Sequence, residues 1–235
     1  MKSLLLWLEG PLQSWGENSK FDRRETLNFP TLSGVCGILC AALGVGGKAK
    51  NTLSQLVKAD FHVLSYPLKS ENTSKVMKDF HMIGNGYDKK TDPWYELNIP
   101  KKIDGKKPSN SKGLTLTYRY YLQSQAFAVV LTYEDEAFAI LLHEALRKPK
   151  WALFLGRKSC VPTELIAQGL FATEDEAVDK ASTLAQKKER ELAFEVIGGR
   201  DEKRGDVLVV NDVPLQFGIH KVYRDRYVTV INKTG

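Results

Sequence analysis

AFAVVLTYEDEAFAILLHEALR, residues 126–147, changes its period halfway along. Its first eight residues are a run rich in valine and aromatic side chains, which predicts a strand. From Asp135 onward Phe138, Leu141, Leu142 and Ala145 recur at helical spacing. Upstream, residues 76–82 and 115–121 both alternate, and between them lies a lysine-, glycine- and proline-rich excursion with Trp94 and Tyr95. An excursion of that length is uncommon inside a compact domain and reads as a hairpin arm leaving the sheet. Further back, residues 61–66 read as a strand and residues 51–58 as a short helix. Pro30-Thr31-Leu32-Ser33 supplies N-cap chemistry for a helix through Leu43, stopped by Gly44. The chain opens on an apolar run, residues 3–8, a buried strand halted by Gly10-Pro11. Strand, helix, strand, hairpin, strand, helix is the ferredoxin-like βαββαβ order, the scaffold of RNA-recognition domains. The expected class is α+β.

Past residues 151–155 the pattern changes. Thr173-Glu174 opens a charged helix to about Arg190, followed by short strands at 192–197, 207–210 and 227–231 with Gly or Asn-Asp punctuation. The expected organisation is a ferredoxin-like domain over residues 1–155, with a thumb-like basic arm at about 83–114. A small β-rich C-terminal subdomain follows over 156–235, with the join near 156–162.

The chain has 235 residues, 43% hydrophobic and 26% charged, an ordinary globular composition that excludes collagen-like, coiled-coil and wholly disordered readings. Its formal charge of +6 is unevenly placed. Residues 86–121 carry a net +4 and residues 147–158 five cations and no acid, which leaves the rest at −3. Cys36, Cys40 and Cys160 form no CxxC pair and no even framework, so a reducing cytosol is expected. No segment approaches the roughly 18 apolar residues of a membrane span, and no membrane association is expected. HExxH, Gly-x-Ser-x-Gly, GxxxxGK[ST] and GxGxxG are all missing from the sequence, and no metal or cofactor is expected.

Four short blocks stand out. In Gly10-Pro11-Leu12-Gln13-Ser14-Trp15-Gly16, glycine permits close approach to phosphates while Trp15 offers a stacking face and Gln13 a base-edge partner; the bland reading is a turn whose Trp15 covers the core. Arg23 and Arg24 precede a helix start at which Thr31, Ser33 and Gly34 would share a phosphate with them, or they are solvated surface. In Gly156-Arg157-Lys158-Ser159, Arg157 would make a forked phosphate bond; otherwise the segment is a basic turn between domains, and Cys160 is assigned to packing. Tyr118-Arg119-Tyr120-Tyr121 alternates, with Tyr118 and Tyr120 on one face and Arg119 and Tyr121 on the other, so one face is available for base stacking. His81 ends a strand beside the basic arm, where an imidazole serves as a base or as a donor to RNA.

Together, Gly10-Pro11-Leu12-Gln13-Ser14-Trp15-Gly16, Phe29-Pro30-Thr31-Leu32-Ser33-Gly34-Val35-Cys36-Gly37, Asp79-Phe80-His81 and Leu155-Gly156-Arg157-Lys158-Ser159-Cys160 resemble the CasD family. They stand in that family's order over about residues 3–160, with a weaker echo at 223–231. The resemblance implies a cytoplasmic, non-catalytic subunit of a type I-E CRISPR Cascade complex that holds the 5′ handle of the guide RNA. It also implies two protein partners, the repeated backbone subunit and the large subunit, with target DNA reached only through the complex.

A second reading is a metal-independent endoribonuclease that processes precursor transcripts, as relatives in type I-C systems do. The resemblance there implies tyrosine, lysine and histidine acting together, typically with a lysine directly before a histidine. This chain has His220-Lys221 instead, so His81 with a tyrosine or lysine of the arm would have to serve.

Overall fold

A computed structural model describes residues 1–16, 22–69, 75–83, 106 and 115–233. The opening apolar run is β1 (Lys2–Glu9), with Leu4, Leu6 and Leu8 entering one core layer and Leu5 and Trp7 the other. A strand covered on both faces reads as a continuous apolar run instead of an alternation. There follow β2 (Leu12–Gln13), β3 (Arg23–Arg24), α1 (Leu32–Leu43), α2 (Lys50–Leu56), β4 (Asp60–Ser65), β5 (Lys75–Ile83), β6 (Thr115–Gln123) and β7 (Ala126–Tyr133). The remainder is α3 (Glu136–Arg147), β8 (Ala167–Phe171), α4 (Glu174–Lys187), β9 (Phe194–Gly198), β10 (Asp206–Gln216) and β11 (Val222–Asn232).

The larger sheet has seven strands in the order β10-β11-β9-β4-β7-β1-β8. Strands β4, β7, β1 and β8 are consecutive neighbours and pair antiparallel. With α1 and α3 they make a strand-helix-strand, strand-helix-strand unit whose first strand lies between the third and fourth, within a mixed α+β architecture. The fourth strand corrects one expectation, because it lies at residues 167–171, beyond the join placed at 156–162. Gly169, at φ +149°, and a register shift between Leu5 and Leu6 break the pattern that would have announced it. Strand β9 pairs with β4 and β11 with β9, so the strands after residue 156 extend the main sheet and do not form a separate one.

Helices α1, α2 and α3 pack on one face of this sheet; α4 covers the other. Ala177, Ala181 and Ala185 recur every four residues along α4, and their small side chains let the helix settle against Leu5, Leu64, Ala126 and Ala128. Trp7 stacks on Tyr66 in the same layer at 5.6 Å. Helix α1 begins and ends as its sequence predicts. The Thr31 hydroxyl accepts from the Gly34 N–H, and Gly44 closes the helix in the left-handed region at φ +70°. Among the described residues no helix is long and apolar enough to cross a membrane.

Carboxylates pin the sheet to its surroundings. His62 of β4 contacts Glu174 through Nδ1 at 2.6 Å and Glu195 through Nε2 at 3.2 Å. The His62 hydrogen bond holds the Glu174 carboxyl below its ordinary 4.5. Burial raises the Glu195 carboxyl, but Lys233 and His62 outweigh it and lower the pKa. Glu9 is likewise raised by burial and lowered further by Trp7, Lys188 and Arg190. A depressed folded pKa gives stability that is present above the unfolded pKa and lost as pH falls through the folded one. Thermal stability is therefore expected to hold down to about pH 5 and to drop below about pH 4.5, and Glu174→Gln removes part of that drop. Melting temperatures across a pH series check this; a wild-type melting temperature that stays flat below pH 4.5 rejects it.

A second sheet continues from the ends of β1 and β7, with β2 following β1 and β6 leading into β7. Strand β6 pairs along its length with β5, from Lys75↔Gln123 to Ile83↔Thr115, and its other edge takes β2 antiparallel and β3 parallel. This hairpin is the base of the expected arm. The arm itself, with Lys89, Lys90, Lys101, Lys102, Lys107 and Lys112, lies outside the described residues.

Candidate nucleic-acid interface

The loop at residues 10–16 is built from the inside. Gln13 is fully buried, and its Nε2 donates to the carbonyls of Leu8 at 3.0 Å and Gln125 at 2.8 Å. Its Oε1 accepts from Nε1 of the equally buried Trp15 at 3.1 Å. The indole lies on α1 where the helix has Gly34, and a Cβ there would come within 2.8 Å of the ring. Neither Gln13 nor Trp15 faces solvent. This corrects the expectation that they stack on and read bases, because their polar atoms are spent on holding the loop shut. Gly16, exposed, ends the loop.

The turn at 156–160 closes against this loop. The Ser14 N–H donates to the Leu155 carbonyl at 3.1 Å. Gly156, at φ +95°, lies so close that a Cβ would come within 1.8 Å of the Ser14 carbonyl oxygen. Arg157 then reaches across to the second sheet, its Nη2 donating to the Arg24 carbonyl at 2.8 Å and its Nη1 to the Tyr120 carbonyl at 3.3 Å. Its guanidinium lies over the Tyr121 ring at 4.6 Å. Arg157 is thus a staple between β3, β6 and the turn, while Lys158 and Ser159 are exposed beside it. Cys160 is fully buried, and burial raises its thiol pKa, as packing requires.

Register divides the second sheet into two faces. Arg24 is opposite Arg119 and Arg119 opposite Asp79, so these share the face on which Arg157 lies over Tyr121. Arg119 Nε donates to Thr117 on the same face. The other face carries Arg23, Tyr118, Tyr120, Lys78 and Phe80. There Phe80 and Tyr118 rings meet at 5.4 Å, Lys78 Nζ lies 4.5 Å over Tyr118, and Arg23 Nη2 contacts the Tyr120 hydroxyl at 3.5 Å. Val76, Phe80, Met82 and Leu116 are all exposed along it. The backbone of His81 is in β5; its side chain lies outside the described residues.

The N-terminus of α1 is occupied by the protein itself. Asp212 of β10, almost fully buried, accepts from the Leu32 N–H at 2.7 Å and takes a two-point ion pair from Arg226 at 2.6 and 2.9 Å. Thr31, also buried, takes the Gly34 N–H, and Ser33 Oγ approaches the Thr31 hydroxyl at 3.4 Å. The expectation that Thr31 and this helix end hold a phosphate is corrected accordingly. What stays open is the side of the helix. Ser33, Gly34 and Gly37 form one wall of a cavity of about 380 Å³ that continues to Gly156, Phe217 and Tyr223.

A model of the family described as CRISPR-associated protein (Cas_Cas5) matches residues 3–231. The chain belongs to the Cas_Cas5 family. It is 29% identical, over 178 residues, to the CRISPR system Cascade subunit CasD of Escherichia coli (strain K12), which covers 73% of this chain and 72% of that protein. Its fold superposes on a chain of a CRISPR RNA-guided surveillance complex with a TM-score of 0.71 at 26% identity, covering 98% of this chain and 89% of that one. A crystal structure of a Cas protein matches with a TM-score of 0.63 at 27% identity, covering 98% and 94%.

In this Cas_Cas5 chain the 10–16 loop, Arg24 of β3 and the 156–160 turn are tied together by hydrogen bonds, with Arg119 beside Arg24 on the same face, and Ser33 and Gly34 line the adjoining cavity with Gly156. Arg23, Tyr118 and Phe80 lie on the opposite face of the second sheet. Sequence reasoning missed Asp212 and Arg226, which set the helix start, and Lys221 and Tyr223, which close the cavity. Asn211-Asp212 looks like turn punctuation, and its partner Leu32 is 180 residues away. Burial raises the Tyr223 phenol pKa, so it is a neutral O–H at physiological pH. Among the described residues no three His, Cys, Asp or Glu side chains gather as a metal site.

Proposed function

We propose that this chain is the non-catalytic subunit of a Cascade-type surveillance complex that binds and caps the 5′ handle of the guide RNA. The observation that carries this is the convergence of cations from distant blocks on one face, Arg24 and Arg119 from β3 and β6 with Arg157 from the turn, next to which Lys158 is exposed. The curated relative's description as a Cascade subunit, and the superposition on a surveillance-complex chain, supply the assembly context. Phosphates follow the arginine-bearing face, where guanidinium groups give charge and forked hydrogen bonds. The opposite face, with Phe80, Met82 and Leu116 exposed, suits a protein neighbour, and it is assigned to the repeated backbone subunit. The large subunit completes the assembly.

The test is salt-dependent binding of the 5′ fragment of repeat RNA to the purified chain. Lys158→Ala and Arg119→Ala avoid the internal staple that Arg157 supplies. Each is expected to weaken binding and to lower the slope of log K against log salt by about 0.7, the value for one phosphate contact on a single strand. Unchanged affinity and slope in both variants removes this face from the RNA path. Specific cleavage of that RNA in EDTA would instead support the endoribonuclease reading.

A further inference from the structure

The cavity beside α1 has a chemistry distinct from the arginine face. Ser33 and Gly37 form its floor on the helix, Phe154 stands at one side, Phe217 and Lys221 come from the β10–β11 turn and Tyr223 from the start of β11. At about 380 Å³ it is at the small end of ligand sites. Its lining contains no carboxylate and one lysine, so it repels nothing on an anionic polymer. Aromatic walls with a few polar groups at the rim are what single-stranded RNA meets when a base leaves the stack.

Gly37 supplies an independent observation. Gly34, three residues earlier, is required by packing, since a Cβ there runs into Trp15. At Gly37 a Cβ would meet nothing within 4 Å, and its φ is ordinary for a helix. Glycine inside a helix lowers its propensity, and here no neighbouring protein atom requires it. The space it leaves opens into the cavity. The far wall is equally deliberate, because the β10–β11 hairpin is pinned to the start of α1 through Asp212, and the Phe217 N–H donates to the Lys48 carbonyl at 3.0 Å.

We propose that this cavity is a base pocket that receives one unstacked nucleobase of the bound single-stranded RNA. The inference rests on the RNA-binding reading above. Phe154, Phe217 and Tyr223 supply the stacking surface; Lys221 Nζ and the Tyr223 hydroxyl donate to acceptors on the base edge. Gly156 lies on the rim, so a strand following Arg119 and Lys158 passes the opening.

The experiment fills the pocket without loosening the fold. Gly37→Leu places a side chain in open space and improves helix propensity, so the melting temperature is expected to hold or rise. Affinity of the full chain for the repeat-derived RNA is expected to fall roughly 5- to 100-fold, the range for losing one base–aromatic stack, with the salt slope unchanged because no phosphate contact is lost. In parallel, RNA carrying 5-iodouridine is expected to cross-link to the peptide containing Phe217 and Tyr223 in wild type and not in Gly37→Leu. Wild-type affinity in Gly37→Leu, or cross-links confined to other peptides, overturns the pocket while leaving RNA binding intact. Absence of RNA binding by the wild-type chain overturns both readings.

Discussion

Replacing Asp212 with alanine is expected to lower the stability of this chain by about 3–5 kcal/mol, the range for removing one partner of a buried ion pair. The side chain is 2% exposed and accepts three hydrogen bonds, two from Arg226 and one from the Leu32 N–H. Alanine leaves the Arg226 guanidinium, 14% exposed over the Phe61 ring, without its carboxylate, and leaves the first N–H of α1 with nothing to replace it. Against a total stability of about 5–15 kcal/mol for an ordinary domain, that loss is a large fraction. Asp212→Asn keeps an acceptor for Leu32 but loses the charge, so it is expected to fall between wild type and alanine. Urea unfolding at neutral pH measures both, and a loss below about 1 kcal/mol for the alanine variant would show that Arg226 finds another partner. Because Asp212 fastens β10 to α1, the same variant also loosens the wall that carries Phe217 and Tyr223.

Local pattern carried much of the fold. The change of period at residues 126–147, the Thr31 cap and Gly44 stop of α1, and the alternation of β5 and β6 are each decided by neighbours in sequence, and each reads correctly from it. The failures are long-range. Strand β8 is held by its pairing with β1 and carries a glycine with a bulge, so nothing within its five residues marks it as a strand. Strand β10 continues through Asn211-Asp212, residues that favour turns, because Asp212 has a buried role on a distant helix. The C-terminal strands look like a separate unit until their pairing with β4 is known.

The site divides along the same line. The 10–16 loop and the 156–160 turn meet because the loop leaves the end of β1 and the turn leads toward the start of β8, the antiparallel neighbour of β1. The roles of individual residues do not follow from their side-chain types. Gln13 and Trp15 have the side chains of a base-reading loop, but burial turns both inward, and composition cannot distinguish an indole that stacks on RNA from one that stacks on Gly34. Arg157 has the guanidinium of a phosphate fork and gives two of its donors to backbone carbonyls. The pocket is built from residues more than 180 positions apart in sequence, Ser33 with Lys221 and Tyr223, so no local spacing announces it.

Gly156→Ala is the substitution expected to damage the proposed RNA face most while leaving every cation in the sequence. Two penalties combine. The backbone at φ +95° is outside the range that a residue with a Cβ adopts without strain, and the Cβ itself would lie 1.8 Å from the Ser14 carbonyl oxygen and 2.8 Å from its carbon. That overlap is with backbone, so no side-chain rotation relieves it; either the 156–160 turn or the 10–16 loop has to move. The expected loss is about 3 kcal/mol or more, adding a strained φ to forced displacement of a packed segment. Gly47→Ala is the matched control. Gly47 also has a positive φ, +68°, but a Cβ there meets nothing within 4 Å, so it isolates the backbone penalty at about 1–2 kcal/mol. The excess of Gly156→Ala over Gly47→Ala in urea unfolding is the cost of prising the turn from the loop, and equal losses would mean that the contact at Ser14 yields freely. The turn carries Arg157 into its bonds with the carbonyls of Arg24 and Tyr120, so its displacement breaks the staple across β3 and β6 and shifts the exposed Lys158 that follows it. RNA affinity is therefore expected to fall at a temperature where Gly156→Ala is still folded, whereas Gly47→Ala retains it.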